Sequence, residues 1–351
     1  MSRRHPAPKM QRMSVDVPLS CFEHLLRLGS GAHAVVHKAR ARSYAHLPRA
    51  VRGRVVAVKM SRSSRGCTAS KAIRKEEHLL GLLRNAPHEN IVCQLARGRH
   101  PSHYTRLSHR PPSEDEQRFL VDPDTSDESD SEEEEEEEGG EAKKRRYPQA
   151  VEAALCVRSF QVLEYLPMDL FHEIHTLKKR LTPDRVAWVA FCVGRAILHL
   201  HFLGWSHRDI KPENILVDRA PRGQVKVCDM GFAERCASPL EQGGGRAGTH
   251  DYSSPEAAAG KHNYWSLDAW QLGVVMLEMM AGKYPWGRSK RDRWGRDVPK
   301  EAEEGWPHEL VAVARGLAHP DPGARWSVAS AVAALAALLA SSSPPSTTAT
   351  T

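Results

Sequence analysis

A chain of 351 residues, 40% of them hydrophobic, is long enough for one large domain or two small ones around a buried core. Its seven cysteines stand singly, with no C-x-x-C pair, which argues against a disulfide framework or zinc site and for reduced thiols inside a cell. The net charge of +7 conceals an asymmetry: residues 113–142 hold sixteen acidic residues against one Arg, leaving the remainder at +22. No nucleic-acid-binding motif accompanies that basic body. A solvated basic surface, partly neutralised by the chain's own acidic segment, is therefore expected, and a nucleic-acid partner is not.

Residues 1–20 read as a disordered basic arm. The start, "MSRRHPAPKMQRM", has neither the apolar h-region of a secretory signal nor the Gly that myristoylation needs after the initiator Met. From Cys21 to Met60, alternating apolar residues broken by Gly predict three strands, the last being "RVVAVKM" with Val55, Ala57 and Lys59 on one face. "TASKAIRKEEHLLGLLRN" predicts a helix with Ile73, Leu79, Leu80 and Leu83 on one side, and "HENIVCQLA" a strand. From about residue 100 to 150 the chain turns to "SEDEQRFLVDPDTSDESDSEEEEEEEGGEAKKRRYP", which cannot bury a core and is expected to be disordered. Order resumes with a strand at "LCVRSFQVLEYL". Beyond Pro167 the pattern is mainly helical, with helices at "TPDRVAWVAFCVGRAILHLHFLG", "SLDAWQLGVVMLEMMAG" and "SVASAVAALAALLA". The last contains the most apolar run, which is too short to span a bilayer, and residues 341–351 form a disordered tail. Strands first and helices second give an α+β chain of two lobes, about 21–165 and 166–340, with the acidic insertion in the smaller. A soluble protein of the cytoplasm or nucleus is expected.

Four stretches carry chemistry. In "LGSGAHAVVHKA", Gly29 and Gly31 would let backbone N–H groups approach phosphate oxygens, although a Gly-x-Gly hairpin is more often only a turn. Lys59 lies in an otherwise apolar strand. It either reaches solvent along its stem or takes anionic partners, among them Glu76 on the predicted helix and a nucleotide's phosphates. In "SHRDIKPENILV" a compact polar loop sets Asp209, Lys211 and Asn214 within six residues. Asp209 can accept the proton of an attacking hydroxyl, Lys211 can stabilise charge on a transferring phosphoryl group, and Asn214 can ligate magnesium through its amide oxygen. Fifteen residues on, Asp229 of "CDMG" supplies a carboxylate suited to a hard cation with phosphate ligands.

These stretches, in this order, resemble the eukaryotic protein kinase family of serine/threonine type, over roughly Phe22 to Leu339. The resemblance implies a bilobal kinase fold that uses ATP and Mg2+ on protein substrates and acts as a monomer. Gly29 and Gly31 then belong to the loop over ATP, and Lys59 holds the α/β-phosphates and pairs with Glu76. Asp209 becomes the catalytic base, and Asn214 and Asp229 the magnesium ligands. Glu164, Tyr165 and Leu166 resemble the hinge that meets adenine through its backbone, with Leu163 as gatekeeper, and Val36, Ala57 and Leu216 should sandwich the ring. "GTHDYSSPE" resembles the end of an activation segment, in which Thr249 would orient Asp209. Asp268 should brace the catalytic loop, and Arg325 should pair with Glu256. "PMDLFHEIH" and "AGKYPWG" resemble the small SH3-domain-binding kinases.

Three positions depart from the family pattern: Ala34 replaces the third loop glycine, Ser254 begins "SPE", and Met230 stands where Phe is usual. All three should leave the chemistry intact. The resemblance implies that Met230 packs between His207 and Leu80, away from the nucleotide. A pseudokinase scaffold using the acidic insertion to bind partners is the alternative reading. A small-molecule phosphotransferase with the same core is a third, disfavoured by Lys211, "GTHDYSSPE" and Asp268. Arg208 before Asp209 admits control by a phosphate at Ser238 or Thr249, and constitutive activity is equally open. "EQGGGRAG" suggests flexibility rather than a docked phosphate.

Overall fold

A computed structural model describes residues 17–30, 34–45, 47–61, 68–101, 157–177, 181–238, 240–244, 248–286 and 304–342. The basic arm through residue 16, Gly31, the acidic segment and the tail beyond residue 342 lie outside these residues. The smaller lobe is an antiparallel sheet of β1 (Phe22–Ser30), β2 (Ala34–Ala41), β3 (Val55–Ser61), β4 (Gln94–Pro101) and β5 (Val157–Glu164), in the order β1-β2-β3-β5-β4. Helix α1 (Thr68–Asn85) follows β3, with the bounds its periodicity predicts. Strand β3 divides its side chains as a period of two requires. Val56 and Val58 enter a small core with Leu19, Phe22, Leu47, Val51, Phe160 and Val162. Ala57 belongs to the main core on the other side.

The expected strand at "HENIVCQLA" starts later than its apolar pattern suggests. Ile91 makes only an isolated bridge to Val227, and pairing with β5 begins at Gln94 and runs to Pro101. The apolar Ile91 and Val92 are buried in the main core instead, so their hydrophobicity reports lobe packing and not a sheet.

The larger lobe is built on α2 (Pro183–Phe202), α4 (Tyr264–Ala281), α5 (His308–Leu317) and α6 (Val328–Ser341), with the short α3 (Pro255–Ala258) before α4. Local chemistry sets the helix starts. Thr182, Asn263 and Ser327 each accept a first-turn N–H through the side chain, from Arg185, Ser266 and Ser330 respectively. Short strands carry the polar loops: β6 (Met168–Asp169), β8 (Ile215–Val217) and β9 (Val225–Val227) form one sheet. Strand β7 (Trp205–Ser206) pairs with β10 (Glu234–Arg235), and β11 (Gln242–Gly244) with β12 (Lys261–Asn263). Part of the expected flexible "EQGGGRAG" is thus a paired strand. Gly243 fits there because a Cβ would come within 2.5 Å of the Tyr264 ring. Among the described residues no helix is long and apolar enough to cross a membrane.

One polar cluster inside this apolar lobe fixes the loop after β7. Asp268 on α4 is fully buried, and its Oδ2 accepts from Ser206 Oγ (2.8 Å) and His207 N (3.0 Å). His201 Nε2 lies 2.8 Å from the same oxygen, and Oδ1 accepts from Arg208 N at 2.7 Å. One turn on, the Gln271 amide accepts from Ile210 N and donates to Arg208 O, both at 3.0 Å. Burial pushes the Asp268 carboxyl up, but the hydrogen bond from His201, its electrostatic attraction and the Arg208 N–H outweigh this and hold it below its ordinary value. A depressed carboxyl contributes stability that is complete above its unfolded-state value and lost as pH falls through the folded one. Asp268→Asn should therefore cost about 3–5 kcal/mol near neutrality, since it removes the charge from a buried set of donors. Urea unfolding of both proteins should show that difference shrinking below the ordinary carboxyl value of 3.8.

Candidate active site

Lys59 resolves the choice left open by its strand. Its Nζ lies 2.7 Å from Glu76 Oε1 and 2.9 Å from Asp229 Oδ1, and its side chain is 13% exposed. Burial alone pulls the Lys59 ammonium down, but the Glu76 and Asp229 carboxylates outweigh it and hold the group above its ordinary value, so it stays charged. Burial pushes the Glu76 carboxyl up, opposed by Lys59 and by the N–H of Met230. Three distant segments meet here: β3, α1 and the turn after β9.

Asp229 is shaped by its backbone. Its φ of 60° is in the left-handed region, which Asp tolerates better than most residues, and its Oδ1 accepts from Gly231 N at 3.3 Å. Burial raises its carboxyl, but Lys59 overrides this and holds it below the ordinary value. The side chain is still 44% exposed, so one oxygen serves the lysine while the group faces open space. Met230, next in sequence, is 1% exposed and lies in the main core with Leu79, Leu80 and Leu83 of α1. Methionine fills that apolar position while its backbone N–H reaches Glu76.

The second cluster surrounds Asp209, 1% exposed in the loop that Asp268 suspends. Thr249 N donates to its Oδ1 at 2.7 Å; Asn214 Nδ2 donates to its Oδ2 at 2.9 Å and to its carbonyl at 2.8 Å. Lys211 Nζ stands 3.2 Å from Asp209 Oδ2 and donates to Thr249 Oγ1 at 2.6 Å. Gly248 allows this approach: its φ is +74°, and a Cβ there would fall 2.3 Å from Arg208 O and 3.0 Å from Asp209 Oδ1. Two hydrogen bonds tie this cluster to the first, Cys228 N to Asn214 O at 2.9 Å and His207 Nε2 with Cys228 O at 3.1 Å.

The expected nucleotide wall is assembled mainly from the sheet. Register sets Val36 beside Lys59 and Ala57 beside Leu163, which puts these four on one face. Leu166 is buried after β5, and Leu216 of β8 is half-buried against the main core. Gly29 is exposed, and a Cβ built on it would meet nothing within 4 Å. The Glu164 side chain joins the sheet to β9: its Oε1 accepts from Cys93 N at 2.6 Å and pairs with Lys226 Nζ at 3.0 Å.

Arg325 pairs with Glu256 through two contacts, Nη1 to Oε1 at 2.5 Å and Nη2 to Oε2 at 3.0 Å. Ser254 caps the short α3 by accepting from Ala257 N. Gln271 was absent from the sequence expectations, although its spacing of three from Asp268 on one helix put it on the same face. Glu234, which contacts both Lys75 and Arg208, was also missed; nothing in its local sequence marks it.

Comparison with known proteins agrees with this geometry. The protein kinase domain family matches residues 155–335, just over half of the chain. A stretch of 136 residues is 37% identical to ribosomal protein S6 kinase alpha-6 of Danio rerio, covering 39% of this chain and 18% of that protein. Over 162 residues the chain is 32% identical to Aurora kinase of Patiria pectinifera, covering 46% and 39%. Over 164 residues it is 30% identical to G protein-coupled receptor kinase 1 of Caenorhabditis elegans, covering 44% and 25%. The matched stretches thus span well under half of each relative. A curled five-stranded sheet over a helical lobe, with Asp209, Asn214 and Asp229 on adjoining loops, is the arrangement this family shares. The chain belongs to the protein kinase domain family, of the eukaryotic serine/threonine type.

Proposed function

We propose that this chain transfers the γ-phosphoryl group of ATP to serine and threonine hydroxyls of protein substrates. The observation that carries the reading is the pairing of two polar clusters. One is the Asp209 carboxylate with Lys211 and Asn214, the other is Asp229 tied to Lys59 and Glu76. Asp209 accepts the hydroxyl proton as the substrate oxygen bonds to the γ-phosphorus; the bond from that phosphorus to the β–γ bridging oxygen breaks, and ADP leaves. Lys211 lies beside Asp209 and offsets negative charge on the moving phosphoryl group. Lys59 orients the α/β-phosphates, Gly29 and Gly31 cover them, and Glu76 keeps Lys59 extended towards them.

The donor set fits magnesium. One carboxylate, Asp229, and one amide oxygen, Asn214, are too few for an all-protein cage and suit a small hard cation that keeps waters and takes phosphate oxygens. The Asn214 Nδ2 is spent on Asp209, which leaves the amide oxygen for the cation. When bound, the ion would neutralise charge on the phosphates. Val36, Ala57, Leu163, Leu166 and Leu216 enclose the adenine ring, and the backbone of Glu164 and Leu166 hydrogen-bonds its edge. The described cysteines, Cys21, Cys93, Cys192, Cys228 and Cys236, are all unbridged, which supports an intracellular setting. We take the acting unit to be a monomer.

Transfer of labelled phosphate from Mg·ATP to a generic protein substrate tests the reading. Wild type should transfer, and Asp229→Asn should fall to background while remaining folded. A well-folded wild type without transfer would support the pseudokinase reading instead. Met230→Phe should change specific activity by no more than about tenfold, because conservative apolar exchanges cost under ~1.5 kcal/mol. Catalysis is worth ~8–23 kcal/mol, so a loss to background in that variant would show that Met230 does more than pack.

A further inference from the structure

Glu234 of β10 lies between the two lobes. Its Oε2 accepts a hydrogen bond from Arg208 Nη1 at 3.2 Å and a second from Lys75 Nζ on α1. Arg208 immediately precedes Asp209, and Lys75 immediately precedes Glu76. A single carboxylate oxygen is therefore one residue removed from Asp209 on one side and from the partner of Lys59 on the other. The three side chains are not equivalent. Lys75 is 42% exposed and Glu234 30%, a setting in which an isolated ion pair contributes little. Arg208 is 10% exposed, and Glu234 is the carboxylate paired with it among the described residues. Beside it also lie the Tyr264 ring, 5.2 Å from the guanidinium carbon, and His262, 1% exposed and held below its ordinary value first by burial and then by Arg208. A guanidinium so placed needs an anion. The backbone φ of 67° at Arg208 is strained for a non-glycine residue, so its position must be held by neighbours.

The segment that carries Glu234 is itself held by backbone pairing. Strand β10 pairs with β7, matching Glu234 to Ser206 and Arg235 to Trp205, and Cys236 N donates to Gly204 O at 2.8 Å. Further on, β11 pairs with β12, and Asn263 Nδ2 reaches Glu241 O at 3.4 Å. The two hydroxyls considered above as phosphate sites each accept a hydrogen bond within the chain. Thr249 Oγ1 accepts from Lys211, and Ser238 Oγ accepts from Leu240 N at 3.2 Å.

We propose that Glu234 is a positioning residue, a built-in anion that joins Arg208 of the catalytic loop to Lys75 of α1 and so holds Asp209 and the Lys59–Glu76 pair in working register without phosphorylation of the chain. It acts through Arg208 and Lys75 and does not touch the reacting groups. The effect on turnover rests on the kinase reading above; the effect on α1 does not.

Two measurements on the full-length chain, dephosphorylated and checked by intact mass, test this. The first is amide hydrogen exchange of α1 and residues 205–210 in wild type, Glu234→Gln and Lys75→Met. Wild type should protect both segments, and each variant should exchange about two- to fivefold faster in α1, the size expected when a partly exposed ion-pair tie is removed. The double variant should be no worse than Glu234→Gln alone, since both changes break the same Lys75–Glu234 contact. Unchanged protection in Glu234→Gln would overturn the proposal whether or not the protein is active. The second is steady-state phosphotransfer. Dephosphorylated wild type should keep its kcat, and Glu234→Gln should lose roughly tenfold in kcat per folded molecule. An activity that disappears on dephosphorylation of wild type, or a Glu234→Gln variant with normal kcat, would also overturn it. Wild-type inactivity with Glu234-dependent protection of α1 would instead count against the kinase reading and leave Glu234 as the tie.

Discussion

The contact on which the rest depends is the ammonium of Lys59 held between Glu76 and Asp229 at 2.7 and 2.9 Å. A lysine 13% exposed on an apolar strand must find anions, and β3 alone offers none. Meeting that demand recruits α1 from the smaller lobe and the turn after β9 from the larger. Val36, Ala57 and Leu163 then share a face with Lys59, because strand register allows no other choice. An electrostatic requirement at one side chain thus fixes the relative placement of a sheet, a helix and a loop.

The second constraint works from below. Asp268 and Gln271 on α4 take up the backbone of residues 207, 208 and 210, so the loop bearing Asp209 hangs from a buried helix and not from solvent. Such a polar network is stable only when fully satisfied, and here both Asp268 oxygens are occupied. Rigidity at Asp268 acts on the loop bearing Asp209, and charge demand at Lys59 acts on the turn bearing Asp229. Glu234 joins that loop to α1 through Arg208 and Lys75.

Much of this was legible in the sequence, for identifiable reasons. Helix α1 matched its periodicity at both ends, and α2 began at Pro183 after a Thr cap and ended before Gly204. Lys59 and Asp229 were conspicuous because a charge stood in an apolar run. What escaped reading depended on tertiary contact. The segment around Ile91 and Val92 looked like a strand because its apolar residues face another lobe. Helix α5 went unnoticed, with its apolar residues interleaved among small ones in "HELVAVARGL". Gln242–Gly244 looked flexible because its two glycines carry no side-chain signal, yet Gly243 is what lets that strand pass under Tyr264. Glu234 was invisible since its partners lie 26 and 159 residues away.

The central claim is that Lys59 organises a nucleotide site between the lobes. Calorimetric titration with Mg·ATP, comparing wild type with Lys59→Met of equal thermal stability, tests it most directly. Wild type should bind, and the variant should bind at least about tenfold more weakly, the loss expected when a charge-assisted contact to phosphate is removed. Equal affinity in a folded Lys59→Met protein would contradict the account, because the ammonium would then serve only the ion pair with Glu76 and Asp229.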